Sequence, residues 1–458
     1  MTYDAIIIGA GMSGLAAGIR LAYFEKKVCI LERHNRVGGL NSFYEIDGRK
    51  YDVGLHAMTN YVPKGTKGAP LMKILKQLRI PYDELGLCPQ NSSAVSFPGL
   101  SINFDNDFES LKQDIFTKFP EQKENFEKLV EGILLQDETS LESGSTSAKA
   151  YVSSFLNDPL LVDMIFCPLM FYGSAKEEDM DLWQFVIMFK SIFMEGFSRP
   201  YEGVRKITKL LTKKYKECGG ELRLGKGVKE LKIEKGKAVG VILDNGDILE
   251  AKQVFSSAGY CETMELIPEA PSKKNEAGSL SFVEAIFTLS KEPSARGENR
   301  TIVFFNDTEK FHYRKPDTLM DASSGVICVP NNFQFEKNLP EGVVRITCMA
   351  NSDMWKSLND EDYQKEKKIC EETMLDLLEK HIEFSREDVI ASDLFTPKTI
   401  TRFTSHFNGA VYGAPKKRKD AQSGYENLYL IGTDQGFLGI TGALLSGISI
   451  ANLYGLKN

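Results

Sequence analysis

Short apolar runs and stretches of helical periodicity alternate at the amino end of the chain. Ala5–Ile8 is a continuous run of apolar, mostly β-branched residues, which predicts a strand of a parallel sheet that is buried on both faces. Between Ser13 and Tyr23 the apolar residues recur at helical spacing, and Val28–Leu31 repeats the strand pattern. The order strand, helix, strand predicts a βαβ unit at the start of the fold.

The middle of the chain follows a different pattern. From about residue 71 to residue 205, helical periodicity and polar loops dominate, and residues 270–395 alternate strand-like runs with a helix around Glu371–Lys380. Asp137–Ser147 is small and polar, which predicts a mobile loop. Leu160–Phe197 is rich in aromatic residues and methionine, which fits a dry tunnel, a helical core or, where exposed, a contact with a bilayer.

A glycine-rich turn joins the first strand to the first helix. It reads Gly9-Ala10-Gly11-Met12-Ser13-Gly14. The first glycine allows a tight turn, the second lets the backbone approach a pyrophosphate, and the third lets helix and strand pack closely. Glu32 ends the second strand, eighteen residues after Gly14, where a carboxylate accepts hydrogen bonds from a ribose diol. Together these features predict a dinucleotide cofactor, FAD.

Composition narrows the class of partner and the compartment. The chain has 458 residues and a net charge of −7, which argues against a nucleic-acid partner. Its eight cysteines are scattered, so we expect reduced thiols and no metal site. The first strand begins within five residues of Met1, and we therefore expect no targeting peptide and a cytoplasmic location. Gln435–Leu456 is uncharged but rich in glycine, which predicts a buried helix rather than a membrane span.

Segments after the glycine turn carry a family resemblance. Arg33 and the run Gly38-Gly39-Leu40-Asn41 follow the ribose-binding acid, and an aromatic-Asp-x-Gly segment, Tyr51–Gly54, comes next. These motifs resemble the flavoprotein superfamily of amine oxidases, protoporphyrinogen oxidases and phytoene desaturases. The Leu-His pair that ends at His56 is more similar to the retinol saturase and carotenoid isomerase branch.

The resemblance implies cofactor contacts from both ends of the chain. Gly227–Leu231, Val254–Gly259 and the last strand, Leu428–Ile431, with the glycine-rich helix that follows, are similar to flavin-domain segments of this superfamily. The implied FAD-binding residues are Gly9, Ala10, Gly11, Met12, Ser13, Gly14, Glu32, Arg33, Gly38, Gly39, Leu40, Asn41, Val228, Ala258, Gly432, Asp434, Gly439, Ile440, Thr441 and Ala443.

The resemblance also implies an α/β fold. We expect a Rossmann-type FAD-binding domain, similar to that of glutathione reductase, with an inserted α+β substrate domain. Residues 1–70, 201–270 and 395–458 are predicted to form the discontinuous FAD-binding domain, and residues 71–200 and 271–394 the substrate-binding domain. Leu40 and His34 stand where the amine oxidase pattern has arginine, which implies fewer phosphate contacts.

The function implied by the resemblance is FAD-dependent desaturation, saturation or cis–trans isomerisation of a long lipophilic substrate, either an isoprenoid polyene such as a carotenoid or an acyl chain. Positioning a C–H bond over the flavin in a dry tunnel would be the main contribution of the protein. His56 and Arg402 are the candidate catalytic residues, although His56 fits a satisfied core histidine equally well. Because one dinucleotide fingerprint is present, we expect the electrons to leave to a quinone, oxygen or a protein.

Two other functions stay open. The first is an amine oxidase, which needs an aromatic cage at the flavin; no cysteine follows Cys370, which argues against a covalent flavin link. The second is a non-catalytic lipid carrier similar to Rab GDP-dissociation inhibitors, which the intact glycine turn and Glu32 argue against. The basic tetrad Lys416–Lys419 is interpreted as a solvated loop, with docking to an anionic carrier or a peripheral membrane contact as the alternative.

Overall fold

A computed structural model of the chain describes residues 2–54, 56–136 and 146–457. Most of the predicted loop 137–147 lies outside these residues. The strands are β1 (Thr2–Ile8), β2 (Val28–Leu31), β3 (Phe43–Ile46), β4 (Arg49–Asp52), β5 (Leu87–Pro89), β6 (Ser93–Phe97), β7 (Leu100–Phe104), β8 (Ser198–Pro200), β9 (Glu221–Arg223), β10 (Val228–Glu234), β11 (Lys237–Leu243), β12 (Ile248–Ser256), β13 (Ser281–Leu289), β14 (Ile302–Asn306), β15 (Ser324–Cys328), β16 (Gly342–Ala350), β17 (Val389–Phe395) and β18 (Leu428–Leu430).

The α-helices lie between these strands and after the last one. They are α1 (Met12–Tyr23), α2 (Pro70–Leu78), α3 (Tyr82–Leu85), α4 (Phe108–Lys118), α5 (Lys123–Leu134), α6 (Ala148–Ser153), α7 (Pro159–Gly173), α8 (Leu182–Phe189), α9 (Val204–Glu217), α10 (Tyr260–Glu265), α11 (Ser352–Ser357), α12 (Asp360–His381), α13 (Pro397–Thr404) and α14 (Gly439–Ile450). α8 and α14 are each continued by a π-helical turn, Lys190–Met194 and Ala451–Gly455.

The first sheet carries the predicted βαβ unit. Its order is β10-β11-β12-β1-β2-β9, and β18 pairs with the far end of β12. The pairs of β1 with β12 and β2, of β2 with β9 and of β12 with β18 are parallel, as expected of strands with continuous apolar runs. α1, α9 and α14 cover one face of this sheet, together with α2. α2 belongs by sequence to the predicted substrate segment, and yet its apolar residues pack in this core.

The second sheet is mixed and draws its strands from two distant segments. Its order is β17-β13-β16-β15-β14-β6-β7, and only the pair of β14 with β6 is parallel. β6 and β7 come from the first predicted substrate segment, and β13 to β17 come from the second. α7 and α8 pack against one face of the sheet in a core of aromatic and methionine side chains, while α12 covers the other face.

The aromatic stretch Leu160–Phe197 is mainly helical core. Twelve of the fifteen residues of α7 are buried, and no large apolar side chain of the stretch is in the exposed class. The stretch therefore presents no exposed large apolar side chain for the contact with a bilayer that the sequence left open. Phe171, Tyr172 and Met188 are the members of the stretch that line the main cavity, so the tunnel interpretation holds for these three residues only.

The basic tetrad Lys416–Lys419 is folded into the protein, although the sequence predicted a solvated loop. The side chain of Lys417 is 3% exposed, and the ammonium of Lys419 lies 3.9 Å from the centre of the Trp183 ring. Of the four residues, Lys416 alone is in the exposed class. The tetrad therefore leaves little surface for docking. Among the described helices, none has both the length and the apolar composition needed to cross a membrane.

Candidate functional site

One cavity of about 530 Å³ is bounded by residues of both sheets. Its wall on the first sheet is formed by the β1–α1 turn, the end of β2, the loop before β3 and the start of α14. Its wall on the second sheet is formed by β13, β15, β16 and α7. A pocket of this size, enclosed by two layers, is typical of a cofactor or substrate site.

The glycine turn has a backbone shape that fits a phosphate group. Gly9 has φ +93°, a conformation that residues with a Cβ rarely adopt. A Cβ placed on Gly11 would meet no atom within 4 Å and would project into open space. A Cβ on Gly14 would lie 2.0 Å from the carbonyl oxygen of Gly9, so helix and strand are in close contact there. These are the roles that the sequence assigns to the glycines, and they fit a pyrophosphate beside Gly11.

Glu32 is held beside this turn by backbone hydrogen bonds. Its carboxylate is buried, and Oε2 accepts from the N–H of Ala10 at 2.8 Å while Oε1 accepts from the N–H of His34 at 2.9 Å. Because each carboxylate oxygen can accept a second hydrogen bond, both can still receive a hydroxyl. The N–H of Gly38 donates to the carbonyl of Ala10 at 2.9 Å, which brings the second glycine pair to the same wall.

The start of α14 supplies the opposite part of this wall. Gly439, Ile440 and Ala443 line the cavity, and no side chain of the described residues caps the helix N-terminus. Its first N–H groups and the positive end of the helix dipole are therefore available to an electron-rich ligand atom. Gly432, at the end of β18, also lines the cavity and donates its N–H to the Ser446 hydroxyl at 2.7 Å.

A buried polar cluster, which consists of His56, Glu284, Arg345 and Thr347, lies at the wall on the second sheet. Nε of Arg345 donates to Oε1 of Glu284 at 2.6 Å, and the two side chains are 2% and 6% exposed. Oε2 of Glu284 is 3.4 Å from Nε2 of His56, which lies 3.1 Å from the hydroxyl of Thr347. His56, Glu284 and Thr347 line the cavity. The cluster therefore places ionisable groups at the wall of the cavity.

The charges of the cluster set its protonation. Burial lowers the pKa of His56 below its usual value, and the carboxylate of Glu284 opposes this shift only in part. For Glu284, burial raises the pKa, but Arg345 and His56 together outweigh burial and the net shift is downward. At neutral pH the cluster therefore holds a neutral imidazole beside an ion pair.

The family model for flavin-containing amine oxidoreductases matches residues 12–453. The chain belongs to this family. It is therefore a FAD-dependent oxidoreductase, and the resemblance, the FAD prediction and the α/β fold prediction are confirmed.

Relatives of this flavin-containing oxidoreductase include two proteins named for carotenoid chemistry. Prolycopene isomerase of Daucus carota is 25% identical over 90% of this chain and 72% of its own length. The 4,4'-diaponeurosporene oxygenase of Staphylococcus aureus is 21% identical over 94% of both chains. Among solved structures, an oxidoreductase from Methanosarcina mazei has a TM-score of 0.69 at 18% identity, covering 98% of this chain and 99% of its own. Putrescine oxidase bound to putrescine has a TM-score of 0.65 at 16% identity, covering 99% and 98%.

Most of the residues predicted for FAD meet at the cavity of this oxidoreductase. The cavity is lined by Gly9, Gly11, Met12, Ser13, Glu32, Arg33, Gly38, Gly39, Leu40, Asn41, Val228, Ala258, Gly432, Gly439, Ile440 and Ala443. Ala10 and Gly14 are not part of the lining: the N–H of Ala10 donates to Glu32, and Gly14 packs closely against the carbonyl oxygen of Gly9. Thr441 is not part of the lining either, and its hydroxyl donates to the carbonyl of Thr59 at 3.4 Å.

Two of the predicted site residues, Asp434 and Arg402, make their contacts outside the cavity. Asp434 is 2% exposed, and its carboxylate accepts the N–H of Tyr260 at 2.5 Å and that of Ala414 at 2.7 Å, so it ties loops together behind the cavity. Arg402 is exposed and does not line the cavity; its carbonyl oxygen accepts a hydrogen bond from the guanidinium of Arg33 at 3.3 Å. The structure thus gives Arg402 no contact with the chamber in which His56 lies.

The sequence analysis missed Glu284, Arg345 and Thr347. A signal was present, because Glu284 and Arg345 each interrupt a strand whose other residues are largely apolar. Charges are seldom fully buried unless they are paired, so two such interruptions in one sheet indicate a buried pair. Their position beside His56 depends on the antiparallel register of β13 and β16, in which Glu284 is opposite Thr347.

Proposed function

We propose that this oxidoreductase acts on a long lipophilic polyene or acyl chain, in a redox reaction or a redox-neutral cis–trans isomerisation. The observation that carries the proposal is one continuous cavity, which extends from the glycine turn to an aromatic chamber. The aromatic chamber consists of Phe171, Tyr172, Met188, Phe282 and Tyr412. The carotenoid names of the two curated relatives support the same substrate class.

The residues at the first-sheet wall are proposed to hold FAD. Gly9 and Gly11 would present backbone to the pyrophosphate, and Glu32 would accept hydrogen bonds from the ribose hydroxyls. The free N–H groups of α14, near Gly439, would stabilise negative charge on the ring system. FAD, when bound, supplies the hydride exchange that no side chain can perform.

His56 is proposed as the proton-handling group. It lines the chamber, and burial keeps its imidazole neutral at pH 7, so it can accept the proton that a C–H bond releases. The imidazolium formed would be stabilised by Glu284, 3.4 Å away. The apolar side chains around it exclude water and orient the chain. Arg402, which lies outside the chamber, has no part in this proposal.

A carotenoid assay with the purified FAD-loaded protein tests the proposal. Poly-cis and all-trans carotenoids are supplied in detergent or liposomes, anaerobically, with the flavin either oxidised or reduced in advance. We expect a change in the carotenoid elution profile. Bleaching of the flavin by the substrate would indicate desaturation, whereas turnover that leaves the flavin spectrum unchanged would indicate isomerisation. The absence of product from every carotenoid and acyl chain would refute the proposal.

Amine oxidation is the second candidate, because the family and the fold are shared with putrescine oxidase. Against it, Arg345 neutralises Glu284, the carboxylate that would otherwise attract an ammonium group in the chamber. Putrescine and hydrophobic amines are assayed by the formation of hydrogen peroxide under air. Peroxide produced with an amine but not with a polyene would favour this candidate.

We further propose a peripheral contact with anionic membranes through a basic face on α9. Four basic residues, Arg205, Lys206, Lys209 and Lys213, line a shallow groove between α3 and α9, together with the carboxylates of Glu84 and Glu202. Residues 202–217 carry six basic and two acidic side chains, although the whole chain has a net charge of −7. Each exposed lysine near an anionic bilayer contributes about 1 kcal/mol of attraction.

Liposome sedimentation tests this contact. We expect binding to vesicles that contain phosphatidylglycerol and not to phosphatidylcholine vesicles, with a loss at high salt. The double variant Lys209→Glu/Lys213→Glu loses about 2 kcal/mol of this attraction and should therefore bind at least about thirtyfold more weakly. The matched control is Lys365→Glu/Lys368→Glu, which reverses two exposed lysines on the acidic helix α12 and should bind like the wild type. Equal binding by both double variants would refute the assignment of this face.

A further inference from the structure

One hydroxyl group at the wall of the aromatic chamber has no hydrogen-bond partner among the described residues. Tyr172 lies in α7 and lines the cavity, and its hydroxyl oxygen is buried without a hydrogen-bond partner among the described residues. Its ring is fixed by Phe197 and Phe304, at centroid distances of 5.2 and 5.4 Å. Burial raises the pKa of Tyr172 well above its ordinary value, so the group is a protonated donor at any physiological pH.

The ring of Tyr172 lies near a second set of polar groups in the same chamber. The ring centroid of Tyr172 is 6.2 Å from that of His56, which belongs to the polar cluster with Glu284 and Thr347. The other tyrosine of the chamber differs, because the hydroxyl of Tyr412 already donates to the carbonyl of Phe171 at 2.5 Å. Of these two tyrosines, Tyr172 is therefore the one whose hydroxyl has no partner among the described residues, and its ring lies beside that of His56.

A pure hydrocarbon could not satisfy these groups. A buried hydroxyl without a partner and a buried ion pair both oppose folding, and an apolar ligand would displace water without replacing its hydrogen bonds. A neutral oxygen atom on the ligand removes this penalty, since it accepts from Tyr172 and, if it is an alcohol, donates to Glu284. A carboxylate ligand would face Glu284, and a cationic amine would face Arg345 close behind it.

We propose that the substrate of this enzyme carries a neutral oxygen function, a hydroxyl or a carbonyl, which binds between the hydroxyl of Tyr172 and the polar cluster. This inference rests on the proposed function, because it assumes that the lipophilic chain occupies the aromatic chamber. It restricts the substrate class from any polyene or acyl chain to oxygen-bearing ones. Tyr172 is then a specificity-determining residue.

A matched set of isoprenoid ligands tests the inference on the FAD-loaded protein. Geranylgeraniol, geranylgeranial and the hydrocarbon in which a methyl group replaces the terminal alcohol differ only at one end. Their dissociation constants are measured by equilibrium dialysis. We expect the alcohol and the aldehyde to bind about tenfold more tightly than the hydrocarbon, which is the effect of one satisfied buried donor.

Three variants separate a ligand contact from a structural role. Tyr172→Phe should reduce the affinity for the alcohol and the aldehyde to that for the hydrocarbon, without weakening the binding of the hydrocarbon. Glu284→Gln should weaken the alcohol more than the aldehyde, because only the alcohol donates. Tyr313→Phe is the control, since the hydroxyl of this buried tyrosine donates to the carbonyl of Ser174 at 3.0 Å, outside the cavity lining. Its affinity ratios should equal those of the wild type.

The outcomes distinguish the two proposals. If the alcohol and the hydrocarbon bind equally well to the wild type, or if Tyr172→Phe changes all three affinities by the same factor, the inference is wrong while the lipophilic function stands. If no isoprenoid chain binds, the inference fails for isoprenoid substrates, and the proposed function fails with it only if the carotenoid and acyl-chain assays also give no product.

Discussion

Alanine substitution should affect the second and third glycines of the β1–α1 turn, Gly11 and Gly14, in different ways. Gly11 has φ −71° and ψ −179°, which alanine adopts freely, and its added Cβ would meet no atom within 4 Å. The Cβ of Gly14→Ala would instead lie 2.0 Å from the carbonyl oxygen of Gly9. Gly11→Ala therefore fills space in the cavity, whereas Gly14→Ala pushes α1 away from β1.

The expected magnitudes follow from these contacts. Overpacking at Gly14 should lower the unfolding free energy of the apoprotein by about 1–3 kcal/mol, after part of the cost is offset by the better helix propensity of alanine. Gly11→Ala should change it by less than about 1 kcal/mol, the range for a helix N-cap without a side-chain bond. If the pyrophosphate lies against Gly11, the same substitution should weaken FAD binding about tenfold or more.

Two measurements on each variant check this reasoning. Urea unfolding of the apoprotein gives the stability, and titration of the apoprotein with FAD, followed by flavin fluorescence, gives the dissociation constant. The expected pattern is a stable Gly11→Ala protein that binds FAD poorly and a destabilised Gly14→Ala protein. A Gly11→Ala variant that binds FAD like the wild type would show that the cofactor does not approach this glycine, and the assignment of the turn as the phosphate cradle would fall.

Three further predictions concern buried charges. Arg345→Met leaves the carboxylate of Glu284 buried without its guanidinium partner and should lower the unfolding free energy by about 3–5 kcal/mol. The double variant Arg345→Met/Glu284→Gln should recover part of this loss. Chemical denaturation measures the unfolding free energy of both variants. Burial lowers the pKa of His406, but the hydrogen bond and the charge of Glu262, together with the charge of Asp434, outweigh burial and raise it. The stabilisation by His406 is therefore fully present below pH 6.5 and is lost as the pH rises through the raised pKa, so His406→Gln should cost more stability at pH 6 than at pH 8.5. Burial lowers the pKa of Lys417 to about 8, whereas the lysine of the unfolded chain keeps its proton up to about pH 10.5. Between pH 8 and 10 the unfolded chain therefore binds more protons than the folded protein, so the unfolding free energy of the wild type should rise with pH more steeply than that of Lys417→Met.

Local patterns predicted the cofactor half of the fold well, because local rules determine it. The second strand, Val28–Leu31, has the bounds that its apolar run predicts, and α1 begins one residue before the predicted Ser13. Asn245-Gly246 lies between the antiparallel strands β11 and β12, where this pair of residues favours a hairpin turn. In each case the residues that carry the signal are also the residues that make the contacts.

The substrate half was predicted only in outline, since its important contacts join distant segments. The parallel pairing of β6 with β14, more than 200 residues apart, has no local signature. The basic tetrad Lys416–Lys419 is a second case in which contacts between distant segments override a local pattern. Four consecutive cations predict a solvated loop, and yet Trp183 covers the ammonium of Lys419, and burial of Lys417 depends on residues far away in sequence.

The last α-helix, α14, takes part both in the cavity and in the packing of the two ends of the chain against each other. α14 packs directly on α1, where a Cβ on Gly447 would lie 2.1 Å from the carbonyl oxygen of Ser13. This close approach is what places the N-terminus of α14 beside the glycine turn. A ligand bound there contacts the first and the last segments of the chain together, so it stabilises the folded state as a whole. At a free FAD concentration one hundred times the dissociation constant, mass action gives about 2.7 kcal/mol. The C-terminal helix, which the sequence marks only by its glycines, is therefore both a wall of the site and the element through which FAD would stabilise the fold.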